Sequence, residues 1–322
     1  MKKLFKKGVA IIIITGLLLG CAGCSSENST TSSDSDEDLT STSDSEKEVT
    51  NELGNNLYNI CNGSDFAVQG DYIYIVHDKN IYKCKSGNEA NDQVQLTYNS
   101  TDNGIYNPQV LGKWVYYIYD EMLCRISTDG GEVEKLSYDW SYRGLYHPYL
   151  LHYAVTKDKI FFTKTEYKDT NTSTDYVVYK PIDALDKYAK MQEGKFKGID
   201  SDGRIHYSKY DKDADDTFYY SMDQEGENVK QENSEFTVPV EVAGYTITIN
   251  DNPDKENHEY DNCLFATKKG TSDKMQVNTD DASTAWPGDD GYIYYDLHFY
   301  SGDLYRVKPD GSEWQKVSSW FS

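Results

Sequence analysis

Basic charge is what this chain most lacks. Its 322 residues include 32 Lys and Arg against 54 Asp and Glu, a formal net charge of −22. Nucleic acid is therefore not an expected partner, because phosphate binding needs a basic face. Apolar residues are scarce too, at 38%. No apolar run approaches the ~20 residues of a membrane-spanning helix. The catalytic signatures legible in a single sequence are also missing. There is no Gly-x-Ser-x-Gly elbow, no His-Glu-x-x-His pair and no phosphate-cradling glycine loop. The six His are scattered, and Pro148 interrupts any helical pairing of His147 with His152. Aromatic residues, in contrast, are plentiful: 29 Tyr outnumber the 10 Phe and 5 Trp together. Disordered acidic chains are poor in aromatics, so much of this chain is expected to fold.

The N-terminus reads as an export signal. Lys2, Lys3, Lys6 and Lys7 precede an apolar run from Val9 to Leu19, short for a span and suited to a signal core. It ends Leu18-Leu19-Gly20-Cys21, which resembles the bacterial lipobox and makes Cys21 the expected lipidation site, with Cys24 as the alternative. Residues 1–20 would then be a signal peptide. Residues 21–52 are rich in Ser, Thr, Asp and Glu without apolar periodicity, as in Asp34-Ser35-Asp36-Glu37-Asp38. Such a segment stays extended and disordered, a tether between membrane and domain. Four cysteines remain beyond it, Cys61, Cys84, Cys124 and Cys263, at spacings that match no metal motif. Cys84 and Cys124 occupy different positions of the repeat described next, so buried free thiols are expected rather than a disulfide.

A repeat organises residues 53–322. A short aromatic strand recurs as Gly70-Asp71-Tyr72-Ile73-Tyr74, Gly112-Lys113-Trp114-Val115-Tyr116, Asp158-Lys159-Ile160-Phe161, Gly203-Arg204-Ile205-His206-Tyr207, Gly244-Tyr245-Thr246-Ile247 and Gly291-Tyr292-Ile293-Tyr294. Its anchors Ile73, Val115, Ile160, Ile205, Ile247 and Ile293 lie 42 to 46 residues apart. A second strand follows each anchor, for example Ile81-Tyr82-Lys83-Cys84 and Leu304-Tyr305-Arg306-Val307. Gly turns and a further short strand close the unit, and one more strand precedes the anchor. Four strands per ~40–50 residues is the arithmetic of a propeller blade. The expected fold is all-β: a six-bladed β-propeller with four antiparallel strands per blade, preceded by signal peptide and disordered linker. One stretch, Asp183 to Met191, reads as a short helical insertion in blade three.

Gly54-Asn55-Asn56-Leu57-Tyr58-Asn59-Ile60-Cys61-Asn62-Gly63, running into Gly70-Asp71-Tyr72-Ile73-Tyr74, resembles the first blade of a family of bacterial surface propellers. That family is named for its likeness to the low-density-lipoprotein-receptor-related-protein propeller and is a domain of unknown function. Leu304-Tyr305-Arg306-Val307-Lys308-Pro309-Asp310-Gly311-Ser312 is similar to the family's Leu-Tyr-Arg…Asp-Gly-Ser step. The match is crispest in blades one, two and six. It implies an exported propeller and brings no catalytic residues with it.

Binding residues are expected on one face, where second-to-third-strand loops and blade-to-blade connections meet. Those loops lengthen in blades three to five, over about 164–175, 208–217 and 250–262, and carry many carboxylates. Asp211, Asp213 and Asp215 alternate like the start of a calcium loop. Asp216 stands where that loop needs Gly, however, and Met222 where it needs Glu, so calcium is only a weak candidate and no other cofactor is expected. The connector after blade two adds Tyr138, Trp140, Tyr142 and Tyr149, rings suited to sugar stacking or peptide capture. Tyr106, in the repeated Gly104-Ile105-Tyr106-Asn107-Pro108, is expected to pack between blades instead. The expected function is a ligand- or protein-binding module, anchored to the cell membrane outside the cytoplasm through its N-terminal lipid. Its expected partner is an extracytoplasmic protein, a cationic peptide or a glycan. The alternatives are a glycosidase-like carboxylate hydrolase at the propeller mouth and a structural or sensory subunit of a surface complex.

Overall fold

A computed structural model describes residues 52–86, 92–99, 104–120, 122–136, 152–168, 172–251, 253, 262–279, 281–297 and 300–317. They form a six-bladed β-propeller in which every blade is four consecutive antiparallel strands. Blade one holds β1 (Phe66–Gln69), β2 (Tyr72–His77), β3 (Asn80–Lys85) and β4 (Gln93–Gln95). Blade two holds β5 (Ile105–Leu111), β6 (Trp114–Tyr119), β7 (Met122–Ser127) and β8 (Glu134–Lys135). Blade three holds β9 (Tyr153–Val155), β10 (Lys159–Tyr167), β11 (Ser173–Pro181) and β12 (Ala189–Glu193). Blade four holds β13 (Lys195–Ile199), β14 (Ile205–Asp211), β15 (Asp216–Met222) and β16 (Lys230–Glu232). Blade five holds β17 (Val240–Val242), β18 (Tyr245–Asp251), β19 (Asn262–Lys268) and β20 (Lys274–Gln276). Blade six holds β21 (Ala282–Pro287), β22 (Ile293–Leu297), β23 (Tyr300–Val307) and β24 (Gln315–Lys316). We call "lower" the face where the inner strands begin and the second-to-third-strand hairpins turn.

The middle strands explain the Tyr excess. Where both faces of a blade are covered, a strand reads as a continuous apolar or aromatic run. Val115, Tyr116, Tyr117 and Ile118 of β6 are all buried, alternating between neighbours. Five apolar clusters fill five seams, joining blades one and two, two and three, three and four, five and six, and six and one. Tyr106 packs against the cluster between blades two and three, as its recurrence implied. Cys84 and Cys124 are buried in different clusters and form no disulfide, and Cys263 is buried and unbridged likewise. Among the described residues no strand is exchanged between blades one and six. That closure rests on Phe66 against Tyr294, with ring centroids 4.3 Å apart, and on a polar knot. In the knot, Arg306 donates to Ser86 Oγ at 2.9 Å, and Ser86 donates to Asp290 at 2.9 Å.

Cations make further ties between blades. Lys83 Nζ of blade one donates to Thr128 O of blade two at 3.1 Å, and Lys159 Nζ of blade three to Gln224 O of blade four at 2.7 Å. Each such cation also lies over an aromatic ring of its own blade, Lys83 over Tyr72 and Arg306 over Tyr292.

Three expectations change. Asp183 to Met191 is not helical: residues 182–188 form a turn, and Ala189–Glu193 is the outer strand of blade three, pairing Tyr179 with Ala189. Strand pairing and the Lys190–Glu166 ion pair override the local helix propensity. The long hairpin loops of blades three and four are mostly strand, since β10 and β11 stay paired to Tyr167↔Ser173 and β14 and β15 to Asp211↔Asp216. The third change is a helix in place of the first blade's opening. Leu57–Asn62 is α1, with Asn56 as N-cap accepting from Asn59 N–H at 2.9 Å and Gly63 ending it at φ 78°.

Candidate functional site

Helix α1 belongs to no blade. It and its flanks, Leu53 to Ser64, run through the centre of the ring, where α1 meets the inner strands β5, β9, β13 and β21. Gly54 N–H donates to Val155 O at 2.8 Å and Gly54 O accepts from Val110 N–H at 2.5 Å, attaching the segment to blades three and two. Asn55 is buried and bonds in four directions. Its Nδ2 donates to Phe66 O at 2.9 Å and Pro108 O at 3.1 Å, and its Oδ1 accepts from Asn56 N–H at 2.9 Å and Asn59 Nδ2 at 3.0 Å. Asn56 Nδ2 reaches Pro287 O of blade six at 2.7 Å, while Trp286 Nε1 of that blade donates to Gly63 O at 3.0 Å. Ile60 fills the apolar cluster between blades three and four. The axis of the ring is thus filled by a plug of the chain's own residues.

The plug presents Cys61 to the inner wall of blade four. A Cβ built on Gly198 would lie 2.2 Å from Cys61 Sγ and 3.2 Å from Phe236, so only glycine fits. His206 pairs with Gly198 across β13 and β14. Its ring stacks on Phe236 at 3.8 Å, and its Nε2 is 2.8 Å from Asp200 Oδ2. Cysteine, histidine and aspartate near one another suggest a nucleophile, but the environment argues against one. Burial pushes the Cys61 thiol up to about 12, and the Asp200 charge opposes the thiolate further, so the sulfur stays protonated.

Two carboxyls are displaced upward, and they lie at opposite faces. Asp65, at the lower start of β1 between buried Ser64 and Phe66, is exposed to solvent on one side and partly desolvated by its neighbours. That desolvation, reinforced by the Asp296 charge, pushes it up to about 6. Asp289, in the upper turn between β21 and β22, is pushed up to about 6 by desolvation and by Asp290. The ring separates them, so they cannot act as one acid–base pair.

Of the residues expected to bind, Asp211, Asp213 and Asp215 do come together, at the exposed tip of the β14–β15 hairpin. They act there as turn formers. Asp211 Oδ1 accepts from the amides of Asp213 at 2.8 Å and Ala214 at 3.1 Å, and Asp215 accepts from the Tyr210 hydroxyl. No group of three or more His, Cys, Asp or Glu is placed to hold a metal among the described residues. Blade three is less acidic at its surface than its composition implied, because Glu166 pairs with Lys190 at 2.5 Å and Asp175 with Lys195 at 3.7 Å. Tyr138, Trp140, Tyr142 and Tyr149 lie outside the described residues, as do Cys21 and Cys24 and most of the blade-five loop. The plug escaped sequence reasoning. Its local signature is nevertheless present, an Asn N-cap seven residues before a Gly.

No protein-family model matches the chain, and no curated protein matches it. Among solved structures it is similar to TolB from Acinetobacter baumannii, at 12% identity and a TM-score of 0.41, over 76% of this chain and 63% of that one. It is also similar to a puromycin-hydrolysing peptidase from Mycobacterium tuberculosis, at 11% identity and a TM-score of 0.37, over 84% of this chain and 50% of that one. A third is PorZ, a surface component of the type-IX secretion system of Porphyromonas gingivalis, at 11% identity and a TM-score of 0.21, over 77% and 40%. This chain therefore spans between half and two thirds of the first two structures. Likenesses of this depth carry neither a site nor an activity across to it.

Proposed function

We propose that the chain is an exported binding module, lipidated at Cys21 or Cys24 and held away from the membrane by its acidic tether. Its lower face would present the ligand surface. The observation that supports this best is the filled axis. With Leu53 to Ser64 occupying the centre, the rim hairpins and connectors are what remains to meet a partner. On the described part of that rim, the blade-four tip combines exposed Tyr210 with Asp211, Asp213, Asp215 and Asp216, a combination suited to a cationic peptide or protein. The resemblance to bacterial surface propellers of the low-density-lipoprotein-receptor-related type agrees with this reading. None of the described residues forms a helix long and apolar enough to cross a membrane.

The test is capture by the mature chain from envelope extracts, compared with a Tyr210→Ala/Asp211→Asn/Asp213→Asn variant of equal stability. The variant should retain under a fifth of the partner, and high salt should weaken wild-type capture. Undiminished capture by the variant would remove the tip from the binding surface. A second reading, carboxylate-based hydrolysis at the lower mouth, is favoured by Asp65, whose raised pKa beside the Asp296 charge suits a general acid. It requires hydrolysis of aryl glycosides by the wild type that Asp65→Asn abolishes.

A further inference from the structure

Blade four has two unlike faces. Toward blade three it shows Ile205, Tyr207 and Met222, all within the apolar cluster of that seam. Toward blade five, the intervening residues His206, Ser208 and Ser221 are polar, and all three are buried. Ser221 donates to Glu232 at 2.6 Å and accepts from Arg204 at 3.0 Å. Blade five repeats the asymmetry. Ile247, Leu264 and Ala266 pack toward blade six, whereas on the side facing blade four Cys263 is buried but Glu241 and Thr248 are solvent-exposed, although β18 is a middle strand. Among the described residues no apolar cluster joins these two blades. What crosses the seam is the connector, held to blade four through Phe236 on His206 and the Lys197–Glu235 ion pair at 2.8 Å; the plug meets its blade-four side, where Cys61 abuts Gly198 beside Phe236.

We propose that the ring opens between blades four and five and that the plug is the element holding this seam shut. Apolar contacts hold the other five seams, and water competes poorly with those. It competes well for the serine, threonine and histidine groups of this one. The plug ties blades two, three and six to the inner wall of blade four and so closes the ring across its softest joint. Opening would expose a polar groove lined by His206, Ser208 and Ser221.

Native-state hydrogen exchange on the full mature chain tests the proposal. Amides of α1 should exchange at least about tenfold faster than those of β6 and β7, and the thiol of Cys263, on the blade-four side of blade five, should be labelled in step with them, by a sub-global opening. Asn56→Ala removes the cap and the Pro287 bond. It should speed α1 exchange and Cys263 labelling alike by about fivefold, the usual effect of a lost cap, and leave blade two unchanged. Cys61 gives a second readout: it should take up a thiol reagent in step with Cys263, while Cys84 and Cys124, buried at other seams, lag. Two results would overturn the proposal. One is a Cys263 thiol as protected as those of Cys84 and Cys124. The other is acceleration of α1 alone in the Asn56→Ala protein, which would show that the plug leaves without loosening the seam.

Discussion

The contact between the plug and blade four allows a sharp steric prediction. In Gly198→Ala, the new methyl would stand 2.2 Å from Cys61 Sγ and 3.4 Å from Cys61 Cβ. Ordinary non-bonded contacts are ~3.5–4.0 Å, so sulfur and methyl must separate by more than an ångström. Gly198 is not among the residues with positive φ, so alanine brings no backbone penalty and even gains ~0.4–1 kcal/mol by stiffening the unfolded chain. Overpacking of this kind costs ~1–3 kcal/mol. The expected net loss is therefore about 1–2 kcal/mol, read as a lower denaturation midpoint with an unchanged slope. Because the clash is with one sulfur, Cys61→Ala should relieve it. The double mutant should be less destabilised than the two single mutants summed, with a coupling of at least ~1 kcal/mol. A Gly198→Ala protein as stable as wild type would refute the placement of the plug. Additive single effects would refute its contact with Gly198.

Three further outcomes are expected. Asn55→Ala should destabilise by about 2–4 kcal/mol in equilibrium unfolding, since it strips hydrogen bonds from several buried groups at once. Arg306→Leu should cost about 3–5 kcal/mol, because it leaves Asp290 nearly buried opposite an apolar side chain and severs the Ser86 link between blades six and one; Arg306→Lys should recover part of this. The pH dependence should be inverted for two carboxyls. The folded states of Asp65 and Asp289 hold their protons up to about 6, and the unfolded chain releases them near 3.8. Over that window the native state binds more protons, so their contribution to stability falls as pH rises from about 4 to 6. Asp65→Asn and Asp289→Asn should each flatten the slope in pH-resolved denaturation and be slightly stabilising at pH 7. The effect stays small because both side chains reach solvent.

What was legible in the chain follows the range of the forces involved. The blade repeat is a short-range pattern of alternating apolar residues and Gly turns, such as Gly70 and Gly112 at φ near 58°, and it predicts the strands almost to their ends. The outer strand of blade three was masked because Ala184-Leu185-Asp186-Lys187-Tyr188-Ala189 favours a helix locally, and only pairing with Tyr179 decides otherwise. The plug was hidden for the opposite reason: its partners Trp286 and Pro287 are more than 220 residues away. The weak seam lay in plain view. Ile205-His206-Tyr207-Ser208 and Tyr245-Thr246-Ile247-Thr248 alternate strictly, whereas Val115-Tyr116-Tyr117-Ile118 does not, and alternation marks a sheet with only one dry face. Of the binding surface, carboxylates were visible as composition, but their turn-forming bonds and lysine partners depend on geometry.

The position of the plug at the start of the fold also orders its assembly. A chain synthesised N-terminus first presents Leu53 to Ser64 before any blade, yet the acceptor Pro287 O lies 231 residues behind Asn56. Loop closure over that distance is slow, and neighbouring strands pair first. Five blades therefore accumulate around a segment that cannot lock until the sixth arrives. Nascent forms would be open arcs with an unseated core, prone to aggregation until the last strands engage. Completion of the C-terminal blade becomes the committing step of maturation, and truncations within it should leave an unlocked ring rather than a slightly smaller one.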